Sequence, residues 1–160
     1  MNNFLPTDYQ AFIHTSRYAR WLETDGRRET WSETVQRYIS NVVAKVSAVD
    51  KSTTDEISEA ILGLEVMPSM RAMMTAGPAA DRDNTCMYNC SYLPVDDLKA
   101  FDEAMFILLC GTGVGFSVER QFVNNLPDVP QLFQSETNIM VKDSKEGWAK
   151  ALRQLIALLY

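Results

Sequence analysis

Apolar and polar residues recur along this chain with two periods, and each period predicts a different element. In "TWSE", Thr30 and Glu33 are spaced to cap a helix reciprocally. Val35, Tyr38, Ile39, Val42, Val43 and Val46 then follow at helical spacing, predicting one long amphipathic helix. "TTDE", Thr53 to Glu56, predicts a second capping box, with Ile57, Ala60, Ile61 and Leu64 on one face and an end near residues 63–67. In "LPVDDLKAFDEAMFILLCGTG" two aspartates mark a helix start, Leu98, Phe101, Met105 and Leu108 form one stripe, and Gly111 is the stop. The exit, "GVGFSVER", alternates as a strand does, and "YNCSY" lies in a run of strand formers.

After a proline-marked loop, Asn124 to Pro130, "NIMVK" predicts a short strand. "DSKEGWAKALRQLIALLY" predicts a helix capped by Asp143 and Glu146, with Trp148, Leu152, Leu155, Ile156 and Leu159 inward. Its last residues are apolar up to Tyr160, so this end is expected to pack on something beyond the chain. The order is thus a helical first third, then strand, helix, strand, strand, helix. Strands separated by amphipathic helices suggest parallel pairing, and a parallel sheet buried on both faces needs more elements than this chain supplies. The expectation is an α/β fold. No internal repeat or low-complexity tract interrupts it.

At 160 residues with 46% apolar content, the chain can bury a core of its own. Fifteen basic against 21 acidic residues give a net charge of -6, which removes the broad positive field expected of a nucleic-acid binder. A nucleotide would have to be held locally, by backbone N–H groups and helix N-termini. No apolar run is long enough to span a bilayer, and "MNNFLPTDYQ" lacks the features of a secretory signal. A cytoplasmic location is therefore expected, without membrane or nucleic-acid partners. Three cysteines, an odd number, fit a reducing compartment in which any disulfide is transient.

Those cysteines are also the candidate chemistry. Cys86 and Cys90 stand four apart in "CMYNC", and Cys110 opens the glycine-rich "CGTGVGFS". A free cysteine is most often a small buried hydrophobe, and Cys90 can be read so, or as a redox thiol. Zinc explains the three poorly, because they form no paired knuckles and His14 is remote; no metal is expected. A cysteine–histidine protease pairing would need the same His14. "CGTGVGFS" runs from helix to strand, the reverse of a dinucleotide fingerprint, although its glycines allow close backbone approach to a ligand. "MPSMRAMMTAG", Met67 to Gly77, reads as an irregular segment of adaptable packing. Its Ser69 can also donate to a phosphate or sugar.

Taken in order, "YARWLETDGRRETWSETVQRY", "MPSMRAMMTAG", "YNCSYLPVDD", "FDEAMFILLCGTGVGFSVERQFVNNLP" and "VKDSKEGWAKALRQLIALLY" closely resemble the N-terminal part of adenosylcobalamin-dependent (class II) ribonucleoside reductases. The resemblance runs from about Tyr18 to Tyr160. It implies a helical region over residues 1–65, and over 66–160 the first strands and helices of an incomplete reductase-type α/β barrel. In that family a thiyl radical, generated with adenosylcobalamin, abstracts the 3'-hydrogen of a ribonucleotide, and a cysteine pair reduces the 2'-carbon. By position, Cys90 resembles the N-terminal member of that pair. Ser69, Asn89, Cys90 and Gly113 resemble contacts to a ribonucleoside di- or triphosphate, and Asp97 resembles a contact to the deoxynucleotide effector. Cys86 and Cys110 match no catalytic position and are read as structural.

The family's radical cysteine, second redox cysteine, C-terminal reductant cysteines and most cobalamin contacts are expected beyond Tyr160. The chain is therefore expected to be inactive alone, and to act with a separately encoded remainder and a thioredoxin-like reductant. The alternative is a non-catalytic truncated relic or a nucleotide-binding regulatory module.

Overall fold

The computed structural model describes residues 5–160, so residues 1–4 of the predicted helical region lie outside the described residues. The chain forms two compact units divided between Met87 and Tyr88, a later position than the 65/66 division that the resemblance implies.

In the first unit, α1 (Asp8–Ile13) is capped by Thr7 and runs into a π-helical turn, His14–Tyr18. An antiparallel hairpin follows, β1 (Trp21–Leu22) with β2 (Arg27–Arg28). The helical reading of the first third missed it; Gly26, at φ +60°, supplies the left-handed residue that its tight loop needs. Next comes α2 (Trp31–Asn41), and its predicted capping box is present: Thr30 accepts from the Glu33 N–H and Glu33 accepts from the Thr30 N–H.

Residues Trp31, Val35 and Ile39 recur every fourth position on one face of α2. With Val43, Ile61 and Met73 they form the core of this unit. Each such side chain contributes about 1.5–3 kcal/mol on burial. The helix stops at Asn41, short of the predicted Val46. Asn41 bonds back to the Arg37 carbonyl at 2.9 Å, the β-branched pair Val42–Val43 follows, and the chain tightens into a 3-10 turn, Val43–Lys45.

Helix α3 (Lys51–Leu62) starts earlier than predicted. Asp50, not Thr53, is its cap, accepting from the Thr53 N–H at 2.8 Å. The segment read as irregular contains α4 (Met70–Thr75), whose Met73 is buried in the core; that packing overrides weak local signals. The unit closes with α5 (Pro78–Arg82) and a 3-10 turn, Asn84–Met87.

In the second unit, β3 (Cys90–Pro94) pairs in parallel with β4 (Gly113–Ser117), as predicted. Between them α6 (Lys99–Leu109) packs against both strands, and Gly111 at φ +84° turns the chain from the helix toward β4. After the short α7 (Arg120–Val123), residues 127–142 carry no regular structure. The predicted "NIMVK" strand is thus absent: a strand needs a ladder partner, and this segment finds none among the described residues.

The last helix, α8 (Lys145–Leu159), packs on α6. Its cap is Ser144 rather than Asp143, with the hydroxyl accepting from the Gly147 N–H at 3.0 Å. The predicted inward stripes are only partly covered. Phe101, Leu108, Leu109, Trp148, Leu155 and Leu158 are exposed, because α6 and α8 meet on a narrower face that buries Ala100, Asp102 and Ala149. No helix among the described residues is long and apolar enough to cross a membrane.

Candidate functional site

Cys90 begins β3, and the parallel register sets it opposite Gly113, the first residue of β4. Alternation along a strand puts Cys90, Tyr92 and Pro94 on one face, beside Gly113, Gly115 and Ser117 of β4. Two of those three β4 positions are glycine, so β4 adds no side chain next to the thiol at Gly113, while the Tyr92 ring lies by Gly115. A Cβ at Gly113 would meet only the Asn89 carbonyl, at 3.5 Å. The open space there allows something outside the chain to approach the backbone closely. The Cys90 thiol is exposed, which corrects the reading of this cysteine as a small buried hydrophobe.

The approach to β3 is pinned at several points. The Gly113 N–H donates to the Asn89 carbonyl at 2.9 Å, and the Ser91 hydroxyl donates to the Gly113 carbonyl at 3.1 Å. Thr112, 1% exposed, donates its hydroxyl to the Tyr88 carbonyl at 2.9 Å. These bonds hold residues 88–91 against the start of β4, so the position of Cys90 is set by both strands. Thr112 was missed in the sequence; the signal was a lone hydroxyl between two glycines, in a motif read for its glycines alone.

Asn89, Cys90 and Gly113 therefore come together. Asp97 lies beyond the far end of β3, where its Oδ1 accepts from the Lys99 N–H at 2.8 Å and supports the first turn of α6. That bond gives Asp97 a structural role whatever else it binds. Ser69 belongs to the first unit; it is exposed, occupies the cap position of α4 and makes no side-chain capping bond. Of the remaining thiols, Cys86 is half-buried in the first unit, and half-buried Cys110 ends α6 within 3.1 Å of Lys145 Nζ.

His14 is committed elsewhere. It is buried, edge-on to Trp31, with Nε2 at 2.9 Å from Thr34 Oγ1. Thr34 donates its single hydroxyl hydrogen to Glu29 at 3.0 Å, so the proton between His14 and Thr34 must be carried by Nε2. Burial lowers the His14 pKa against the opposing pull of Glu29. Burial also pushes the Glu29 carboxyl up, but the Arg37 guanidinium, the Arg20 N–H and Thr34 together hold it below its ordinary value. This network ties α2 to the turn before it, and Arg37 extends it to the carbonyls of Tyr18, Met73 and Ala76. It is scaffolding.

A second buried charge was not legible at all. Asp102, on α6, accepts from Arg153 of α8 at 2.8 and 2.5 Å. Nothing in either local pattern links two residues 51 positions apart.

No family model matches this chain. It is similar, however, to adenosylcobalamin-dependent ribonucleoside-triphosphate reductases. The protein from Lactobacillus delbrueckii subsp. bulgaricus is 26% identical over 85% of this chain and 22% of its own length. A putative one from Mycobacterium phage D29 is 24% identical over 92% of this chain and 25% of its own length, and that of Euglena gracilis is 24% identical over 90% and 22%. The chain thus spans about a quarter or less of these relatives, and it matches an N-terminal portion. Among solved structures, a B-12-dependent (class II) ribonucleotide reductase shares the fold with a TM-score of 0.72. It is 24% identical, over 94% of this chain and 30% of that one.

Proposed function

We propose that this chain is the N-terminal part of a ribonucleotide reductase of the adenosylcobalamin-dependent kind. Residues 1–65 are its opening region, helical among the described residues apart from the β1–β2 hairpin, and residues 66–160 are the first elements of an α/β barrel. The observation that carries this reading is the β3–β4 pair: an exposed thiol, Cys90, held opposite Gly113, where β4 has no side chain. The similarity to the reductases over most of the chain supports it.

On this reading Cys90 is one of two thiols that reduce the 2'-carbon of a ribonucleotide during thiyl-radical chemistry. A ribonucleotide and two thiols give a deoxyribonucleotide, a disulfide and water. The 2'-carbon–oxygen bond breaks, the oxygen leaves as water, and the two sulfurs, each having given up a hydrogen, join. Disulfide geometry requires the second thiol within a few ångströms of Cys90, and the glycine at 113 keeps a side chain out of the space beside that thiol. Asn89 and Gly113 contact the ribonucleoside di- or triphosphate, and Asp97 contacts a deoxynucleotide effector.

Among the described residues the one imidazole, His14, is buried against Thr34 and so does not fit a ligand to a cobalamin cobalt, and no group of three or more His, Cys, Asp and Glu could hold a metal ion of its own. Adenosylcobalamin would supply the radical from contacts outside these residues, as would the radical cysteine. The partners are therefore the remainder of the reductase and a thioredoxin-like reductant, in the cytoplasm.

The test is reassembly. Purified chain mixed with the remainder of such an enzyme should give deoxynucleotide that depends on both parts and on adenosylcobalamin. A mixture that neither associates nor reduces nucleotide contradicts the proposal.

A further inference from the structure

The reductase reading leaves Cys110 without a role, yet its surroundings in the second unit are specific. Cys110 is the residue on which α6 ends, and Lys145 is the first residue of α8. Lys145 Nζ lies 3.1 Å from Cys110 Sγ. The same ammonium sits 5.1 Å from the centroid of the Phe106 ring, one turn back along α6, which favours a cation over its face. Two packed helices thus bring a primary amine and a thiol to hydrogen-bond distance across 35 positions of sequence, with the amine steadied by an aromatic ring. That separation is close to the span of two single bonds through one intervening oxygen atom.

We propose that Cys110 and Lys145 are a redox modification site, joined on oxidation by a covalent sulfur–oxygen–nitrogen bridge. With dioxygen as oxidant, one thiol, one alkylammonium and one O2 give the bridge, one water and one proton. The S–H bond and two N–H bonds break; one S–O and one O–N bond form. Sulfur and nitrogen each lose two electrons, and dioxygen takes all four, leaving one oxygen in the bridge and the other in water. Two equivalents of peroxide reach the same product: the first oxidises the Cys110 thiol to a sulfenic acid with loss of water, and the second takes the two electrons from nitrogen as the sulfenic oxygen joins it, releasing two waters and a proton. Four reducing equivalents from a thiol reductant return thiol, amine and water, so the bridge is reversible. It ties the end of α6 to the start of α8, converting a packed contact into a covalent one. It does not depend on the reductase reading.

The experiment is peptide mass spectrometry on the full chain, exposed to air or dilute hydrogen peroxide, digested without reductant and compared with chain kept in dithiothreitol. The expected product is a linked pair of peptides, one holding Cys110 and the other Lys145, heavier than their sum by one oxygen and lighter by two hydrogens. It should vanish on reduction and be absent from Cys110→Ser and from Lys145→Arg, which retains the positive charge. The proposal is overturned if the oxidised wild-type chain carries no such link. Oxidation of Cys110 only to a sulfinic acid or to a disulfide with Cys86 or Cys90, with Lys145 unmodified, also overturns it, as does a link of that mass surviving in Lys145→Arg.

Discussion

At the scale of single residues, the strongest commitments of this chain are carboxylates. Glu33 accepts a two-pronged bond from Arg27, at 2.8 Å to each oxygen, as well as the Thr30 N–H at 2.7 Å. The Arg27 bonds are the largest cause of a Glu33 pKa lowered to about 2 from 4.5. A carboxylate whose pKa is depressed by folding stabilises the fold fully above its unfolded value. That contribution is lost as pH falls from about 4.5 toward about 2. Thermal melts between these limits should fall steeply for the wild type and less steeply for Glu33→Gln; equal slopes would remove Glu33 from the acid response. Glu29 shifts in the same direction, and it is buried together with its partner, with side-chain exposures of 6% and 11% for Glu29 and Arg37. Removing one member of a buried pair strands the other, so Arg37→Met should cost about 3–5 kcal/mol in urea unfolding. A loss below about 1 kcal/mol, the size of a surface pair, would contradict that role.

At the scale of elements, α8 shows why a helix start is more than its cap. Gly147 lies one turn inside, and a Cβ there would run into the Lys142 carbonyl oxygen and come within 2.8 Å of Lys142 Cβ. The incoming chain crosses the helix too closely for any side chain. Gly147→Ala should therefore displace residues 142–144 and raise amide exchange through the first turn of α8, whereas Ala149→Gly should leave that crossing in place. Unchanged exchange at Ser144 and Gly147 in Gly147→Ala would show that the crossing is not tight. Local pattern anticipated some element boundaries and not others, for physical reasons. The Thr30 capping box and the Gly111 stop depend on neighbours in sequence, and both were legible. Asp50 displaced Thr53 as a cap because both were able to accept, and Asp50 led into one more turn of helix. The hairpin of β1 and β2 is too short to show an alternation, and α4 is set by the burial of Met73 rather than by any periodicity of its own. "NIMVK" has strand composition, but composition supplies no ladder partner.

At the scale of the molecule, the second unit is one parallel strand pair, a crossover helix and a packed helix, with apolar side chains left in water on both helices. The juxtaposition at its centre was legible, because Cys90 and Gly113 each sit at the first residue of a strand recognisable by composition. What fixes that juxtaposition, the Thr112 and Ser91 bonds, arises only once distant segments meet, as does the Asp102–Arg153 pair that joins α6 to α8. The proposed function requires Cys90 as the working thiol and leaves Cys86 and Cys110 dispensable for nucleotide reduction. The most direct measurement is deoxynucleotide formed per chain, over many turnovers, by the reassembled enzyme carrying Cys90→Ser, Cys86→Ser or Cys110→Ser. Serine nearly matches cysteine in size but cannot join a disulfide, so Cys90→Ser should lose multiple turnover while the other two retain it. Normal turnover by Cys90→Ser, with loss in Cys86→Ser, would contradict the account and move the redox role to the other thiol of "CMYNC".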